Sequence, residues 1–270
     1  MLSVRQPSLP LAVALVALFV RGAPVAAQQP AQDLLPNTFS LGAAYSTGDY
    51  GEPIDTSILF FPVSYAYQAE KWGVQVSSYH LEMDGLGNVL VNVGGVTRAQ
   101  GPVQEVSERG LGDTTARFTY RLDPWSATAP FIDVSVEVKL PTAEEAKGLG
   151  TGETDYAAQV DIYKPAGATT WFGTLGYRFR GESELFAGLE NATFAQLGFT
   201  RPLAGSAQWS WGAFYDFREP ASTFSKETHE LFPFVTWRPS ARWSLMSYGV
   251  WGATEDSADY LLGTQLSYSW

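Results

Sequence analysis

The chain has 270 residues with 17 Lys+Arg, 28 Asp+Glu, two His and no Cys, giving a formal charge of −11. That acidic surplus argues against nucleic acid as a partner, because phosphate binding draws on clustered Lys and Arg. The missing cysteines exclude disulfides, thiolate metal sites, iron–sulfur clusters and a cysteine nucleophile. Aromatic residues make up 14%, with 9 Trp, 13 Tyr and 26 Gly, at a mean hydropathy of only −0.07. Such a chain is too polar for membrane helices yet rich in the side chains that sit at bilayer interfaces.

Residues 1–27 read as a secretory signal. Arg5 supplies the positive end, residues 11–20 are apolar, and Val25, Ala26 and Ala27 offer small residues before Gln28. A run that short falls below the roughly 20 residues a membrane helix needs, so removal is expected rather than retention as an anchor. Residues 28–270 then form the exported, acidic domain.

Beyond Asn37 the dominant hydrophobic period is two. Phe39, Leu41, Ala43 and Tyr45 alternate with Ser40, Gly42, Ala44 and Ser46. Residues 59–67, 72–76 and 116–122 repeat the pattern. It is clearest in Ile132, Val134, Val136, Val138 and Leu140, interleaved with Asp133, Ser135, Glu137 and Lys139. Seven further segments lie at 156–162, 171–179, 195–199, 209–217, 231–237, 243–251 and 260–270, and in 243–251 neither parity is cleanly apolar. Successive side chains of a strand point to opposite faces, so each of these twelve segments presents one apolar and one polar or small surface.

Alternation suits either a soluble sheet or a membrane barrel, and the connections separate the two. Residues 68–71, 123–129, 164–168, 201–206 and 238–241 are short and carry Pro, Lys or Arg. Residues 47–55, 84–109, 141–153, 181–185, 219–227 and 252–259 are mostly longer, glycine-rich and acidic. Short turns at one rim and long loops at the other predict an outer-membrane barrel with periplasmic turns and extracellular loops. Leu262, Thr264, Leu266, Tyr268 and Trp270 bring outward hydrophobics to a terminal aromatic, similar to the C-terminal signal read by the outer-membrane assembly machinery. Tyr45, Tyr67, Trp72, Tyr120, Trp171, Trp209, Trp237, Trp243 and Trp270 fall near segment ends, where aromatic girdles are expected.

The fold class is therefore an all-β, antiparallel transmembrane barrel of about twelve strands. Arg117, Asp133, Glu137, Lys139, Gln159, Asp161, Arg178, Gln196, Asp216 and Arg218 share lumen parity and are the candidate lining residues. Buried charges persist only when paired or hydrated, so they form either the wall of a wet channel or an ion-pair network filling the lumen. Ile58, Phe60 and Pro62 make an inward apolar patch. Residues 85–106, rich in Val and Gly, either fold into the mouth or extend the barrel as a hairpin.

Gly110-Leu111-Gly112-Asp113, Phe118 to Leu122, Val138-Lys139-Leu140-Pro141-Thr142, Gly148-Leu149-Gly150-Thr151-Gly152, Asp155-Tyr156 and Gly176-Tyr177-Arg178-Phe179 succeed one another in an order and spacing that are familiar. They resemble the family named for the MetA pathway of phenol degradation, a group of outer-membrane barrels, over nearly the whole exported chain. Ala143 stands where that family often has Gly. The resemblance implies a channel or transporter-like protein for small aromatic or hydrophobic compounds. Beside it, glycine in Gly-Leu-Gly-Asp permits a tight approach to a strand, and Pro141 ends a strand where no ladder donor is needed.

Enzyme readings fit poorly. A barrel acyl hydrolase needs His beside a nucleophilic Ser, whereas His80 is followed by Leu81-Glu82 and His229 by Glu230-Leu231. Glu144-Glu145 and Glu255-Asp256 are loop neighbours, unlike the opposed carboxyls of a glycosidase or the alternating oxygens of a calcium loop. Gly148-x-Gly150-x-Gly152 precedes no helix and is no dinucleotide motif. No cofactor or metal is expected. The expected partners are outer-membrane lipid and lipopolysaccharide, the assembly machinery and a small solute. The competing reading is a closed structural or adhesion barrel with a filled lumen.

Overall fold

The computed structural model describes residues 15–16, 20–21, 35–50, 52–86, 89–92, 95–98, 105–183, 186 and 188–270. The expected signal segment lies outside the described residues, apart from the short pairing of Leu15–Val16 with Val20–Arg21. Side chains that alternate between apolar and polar favour extended backbone, and β1 (Asn37–Gly48), β2 (Thr56–Gln68) and β3 (Trp72–Leu86) are consecutive antiparallel strands. β4 is interrupted, its two pieces Glu105–Leu111 and Thr114–Leu122 both pairing with β3. β5 (Phe131–Leu140), β6 (Asp155–Ala166), β7 (Thr169–Phe179) and β8 (Ala192–Pro202) continue the meander. β9 (Trp209–Arg218), β10 (Thr228–Trp237), β11 (Trp243–Gly252) and β12 (Tyr260–Ser269) complete it.

β12 pairs with β1, so the twelve-stranded sheet closes on itself. The seam is finished by Asn37 and Trp270, which exchange both backbone hydrogen bonds at 3.2 and 3.0 Å. Closure pairs the strands around the whole ring, the condition for a sheet in hydrocarbon, while the first piece of β4 pairs with β3 alone. No helix among the described residues is long and apolar enough to cross a membrane. The strands do so instead.

The outward faces carry the exposed hydrocarbon: Leu41, Val76, Val136, Ile162, Leu175, Leu197, Leu231 and Leu262 among others. One rim is belted by aromatic pairs, including Tyr67–Trp72, Trp171–Phe199, Trp209–Trp237, Trp243–Tyr268 and Tyr268–Trp270. Tyr45, Tyr156, Phe179, Trp251 and Tyr260 ring the other. Trp243 and Trp251 on β11 are separated by about 26 Å of extended chain at ~3.3 Å per residue. A strand tilt of roughly 40° shortens this to about 20 Å, commensurate with an apolar band about 25 Å tall once the ring bodies are added. Because the closed sheet resists detergent unfolding, the unheated protein is expected to run faster on a detergent gel than the boiled protein, and identical mobilities would contradict the barrel.

Of the two expectations for residues 85–106, the backbone takes the hairpin. β3 and the first piece of β4 remain paired out to Leu86 and Glu105, and Val89–Asn92 pairs with Gly95–Arg98 beyond them. The loop that enters the barrel is a different one. In residues 141–153 a single 3-10 turn, Glu145–Lys147, ends at Gly148 with φ +69°, a left-handed conformation that glycine adopts without strain. The chain then turns inward, burying Leu149, Gly150 and Thr151.

Candidate functional site: the barrel interior

Inward positions divide into two walls. On β4 to β6, and towards the outer ends of β7 to β10, they are largely charged or polar, and register decides which side chains meet. Pairing of β4 with β5 sets Arg117 opposite Glu137. Arg117 donates from Nε at 3.0 Å and Nη2 at 2.6 Å to Glu137 Oε2, while Arg178 Nη2 on β7 reaches Glu137 Oε1 at 3.2 Å. Below them, Asp133 lies 3.4 Å from Arg121 Nε. Gln159 donates to both oxygens of Asp161 at 3.0 and 2.8 Å, and Thr174 donates to Oδ1 at 2.6 Å. On β8 to β10, Gln196 donates to Asp216 Oδ1 at 2.6 Å, and Arg218 bonds Asp216 Oδ2 at 2.5 Å and also pairs with Glu230.

Lys139 stands at the outer end of this wall, where its ammonium is 3.1 Å from Asp113 and 3.1 Å from Asp155 and donates to Thr151 Oγ1 at 2.7 Å. Four sequence features separated along the chain meet here. Gly112 lets the interrupted β4 pass Tyr79, since a Cβ there would fall 1.8 Å from the ring. Asp113 then points inward and also accepts from Ala143 N at 3.1 Å. Asp155 accepts from Gly181 N at 3.1 Å. Thr142 Oγ1 donates to Gly112 O at 3.1 Å. The ion pair thus pins the inward loop at both ends.

The remaining wall is apolar. Ile58, Phe60, Tyr79, Leu81 and Met83 from β2 and β3 join Phe214, Phe232, Phe234, Met246, Tyr248, Val250 and Leu261 from β9 to β12 in one cluster, with Phe172 contributed from β7. Phe214 and Phe232 stack at 4.5 Å and 11°. Pro62 is buried beside Gly42 on the same wall. Loop residues Tyr50, Leu149 and Ala258 cap this cluster from the outer side. Burial drives the Tyr50 hydroxyl upward from its ordinary range, against the hydrogen bond with Ser46.

All ten residues expected from parity are buried or half-buried in these networks. Arg121 and Glu230 share the same parity and complete two of the pairs. Asp113 and Thr151 lie outside the strands, and Asp155 opens β6 one residue before the alternating segment read from sequence, although each falls within one of the motifs Gly110 to Asp113, Gly148 to Gly152 and Asp155-Tyr156. Neither histidine faces this interior. His80 lies on the outward parity of β3 beside Phe61, and His229 on that of β10, bonded to Tyr215.

An outward apolar band between aromatic belts, around an interior of paired charges, defines a transmembrane β-barrel of the bacterial outer membrane. No family model matches the chain, and no curated protein matches it in sequence. Among solved structures it is similar to the COG4313 outer membrane channel from Pseudomonas putida F1, with a TM-score of 0.64 and 13% identity over 87% of this chain and 95% of that one. The transport unit of the autotransporter AIDA-I from Escherichia coli aligns at TM-score 0.55 and 9% identity, covering 90% of this chain and 93% of its own. The NanC porin aligns at 0.52 and 8%, covering 86% and 98%. At such identities the likeness is one of fold.

Proposed function

We propose that the chain is a passive outer-membrane channel for small solutes, and that its permeants include compounds with an apolar or aromatic body. The observation that carries this reading is the two-walled interior: stacked phenylalanines on one side and ion-paired polar groups on the other. A solute with a hydrocarbon body and a polar end finds both surfaces within one lumen. Several buried polar atoms support a wet path, because Thr236 Oγ1, Tyr248 Oη and both side-chain heteroatoms of Gln265 have no protein partner. Groups of this kind are satisfied by water or by a passing solute. The motif resemblance to barrels named for phenol degradation points the same way.

A second reading, a structural barrel with a filled lumen, is favoured by the complete burial of Ile58, Phe60, Leu81 and Phe232. Planar-bilayer recording of the purified full chain separates the two. Discrete steps of unit conductance are expected from a channel, together with faster entry of phenol into liposomes that carry it than into protein-free ones. A folded, heat-modifiable protein giving neither would make the lumen a plug.

A further inference from the structure

Among the described residues, six basic side chains share the inward parity of β4, β5, β7 and β9 or of their ends: Arg117, Arg121, Lys139, Arg178, Arg180 and Arg218. Five have a carboxylate within 3.4 Å. Arg180 does not. Its Nε and Nη1 are buried without a hydrogen-bond partner. Buried N–H groups left unbonded are costly, so their retention calls for an acceptor.

The backbone at this point is held on both sides. Arg180 N donates to Asn191 Oδ1 at 2.8 Å and Gly181 N to Asp155 Oδ1 at 3.1 Å, fixing where the side chain leaves the end of β7. The charges acting on it are Arg178 and Arg218, which repel, and Asp155, which attracts. Those neighbours are already engaged: Asp155 by Lys139, Arg178 by Glu137, Arg218 by Asp216 and Glu230. Burial first, then Arg178, lowers the Arg180 guanidinium to about 10, leaving it cationic at neutral pH. The residue as a whole is half-buried at the outer mouth, with its two unpartnered nitrogens beneath the surface.

We propose that Arg180 anchors an anion site in the outer mouth of the barrel, and that the site takes a small monocarboxylate. Either edge of a guanidinium offers parallel N–H donors that match a carboxylate. The surrounding wall already carries carboxylates at Asp155 and Glu137, so a monoanion meets less repulsion there than a phosphate dianion. The site goes beyond the channel reading and does not require the lumen to conduct.

Calorimetric titration of the detergent-solubilised full chain with sodium butyrate, and separately with sodium phosphate, tests it. Saturable butyrate binding is expected, tighter than that of phosphate and weakened by about tenfold or more in Arg180→Gln through loss of a charge-assisted hydrogen bond. Arg180→Lys, which keeps the charge and loses the planar fork, should weaken binding without abolishing it, and decides the matter if the Gln variant fails to fold. Arg201→Gln, at an exposed position, should change nothing. Equal butyrate binding by wild type and Arg180→Gln, absence of saturable binding, or a preference for phosphate would each overturn the site. Binding of butyrate by a barrel that passes no current would overturn the channel reading alone.

Discussion

Deleting residues 144–150 is expected to raise the unit conductance of the barrel several-fold. Those residues carry the 3-10 turn and Leu149, which is fully buried against the apolar wall and sits so close to β4 that a Cβ on Gly110 would fall 2.8 Å from its Cδ1. The loop connects β5 to β6 at the long-loop rim, so its removal leaves every strand pairing intact. Bilayer recording reads the result, with gel mobility of the unheated protein confirming that the barrel has formed. Leu149→Ser should act in the same direction with smaller amplitude, because a buried hydroxyl without a partner disfavours the inward position of the loop. An unchanged conductance in a folded deletion variant would mean that the constriction lies deeper, at the level of Phe214 and Phe232.

The second large effect is expected at Lys139. Its side chain is 1% exposed between carboxylates that are 0% and 2% exposed. Lys139→Ala strands two negative charges in the wall, and removing one side of a buried ion pair costs about 3–5 kcal/mol. The loss should appear as an earlier urea transition by tryptophan fluorescence in detergent micelles. Combining Lys139→Met with Asp113→Asn and Asp155→Asn should recover most of it, since no uncompensated charge remains and the side-chain volumes are nearly kept. A single Lys139→Ala change within about 0.5 kcal/mol of wild type would class the site with ordinary surface positions. The same variant loosens the inward loop, because Lys139 binds Thr151 and Asp113 binds Ala143 N. Its conductance should therefore rise even where its stability falls.

Residues 132–140 show why the barrel was legible from sequence. A strand facing lipid on one side and charge on the other must alternate with period two, and Ile132 to Leu140 do so without exception. Residues 243–251 show where that signal fades. β11 turns Met246, Tyr248 and Val250 inward onto the apolar wall while Leu245 and Trp251 face outward, so both parities carry hydrocarbon. Only the arrangement of neighbouring strands reveals that its inner face borders a greasy side of the lumen.

Local spacing alone determined the twelve spans, the two rims, the aromatic belts and the inward parity of the ten polar residues from Arg117 to Arg218. Each of these stems from the two-residue repeat of a strand and the thickness of a bilayer, which act on a segment independently of its distant neighbours. Tertiary structure decided which charges pair, which loop enters the mouth, and that Arg180 is left over. Asp113, Thr151 and Asp155 converge because strand register and the loop fold bring them within 3.1 Å of the Lys139 ammonium. Ion pairing is a property of three-dimensional distance, and the distance between positions 113 and 155 exists only once β4, β5 and β6 have paired in register.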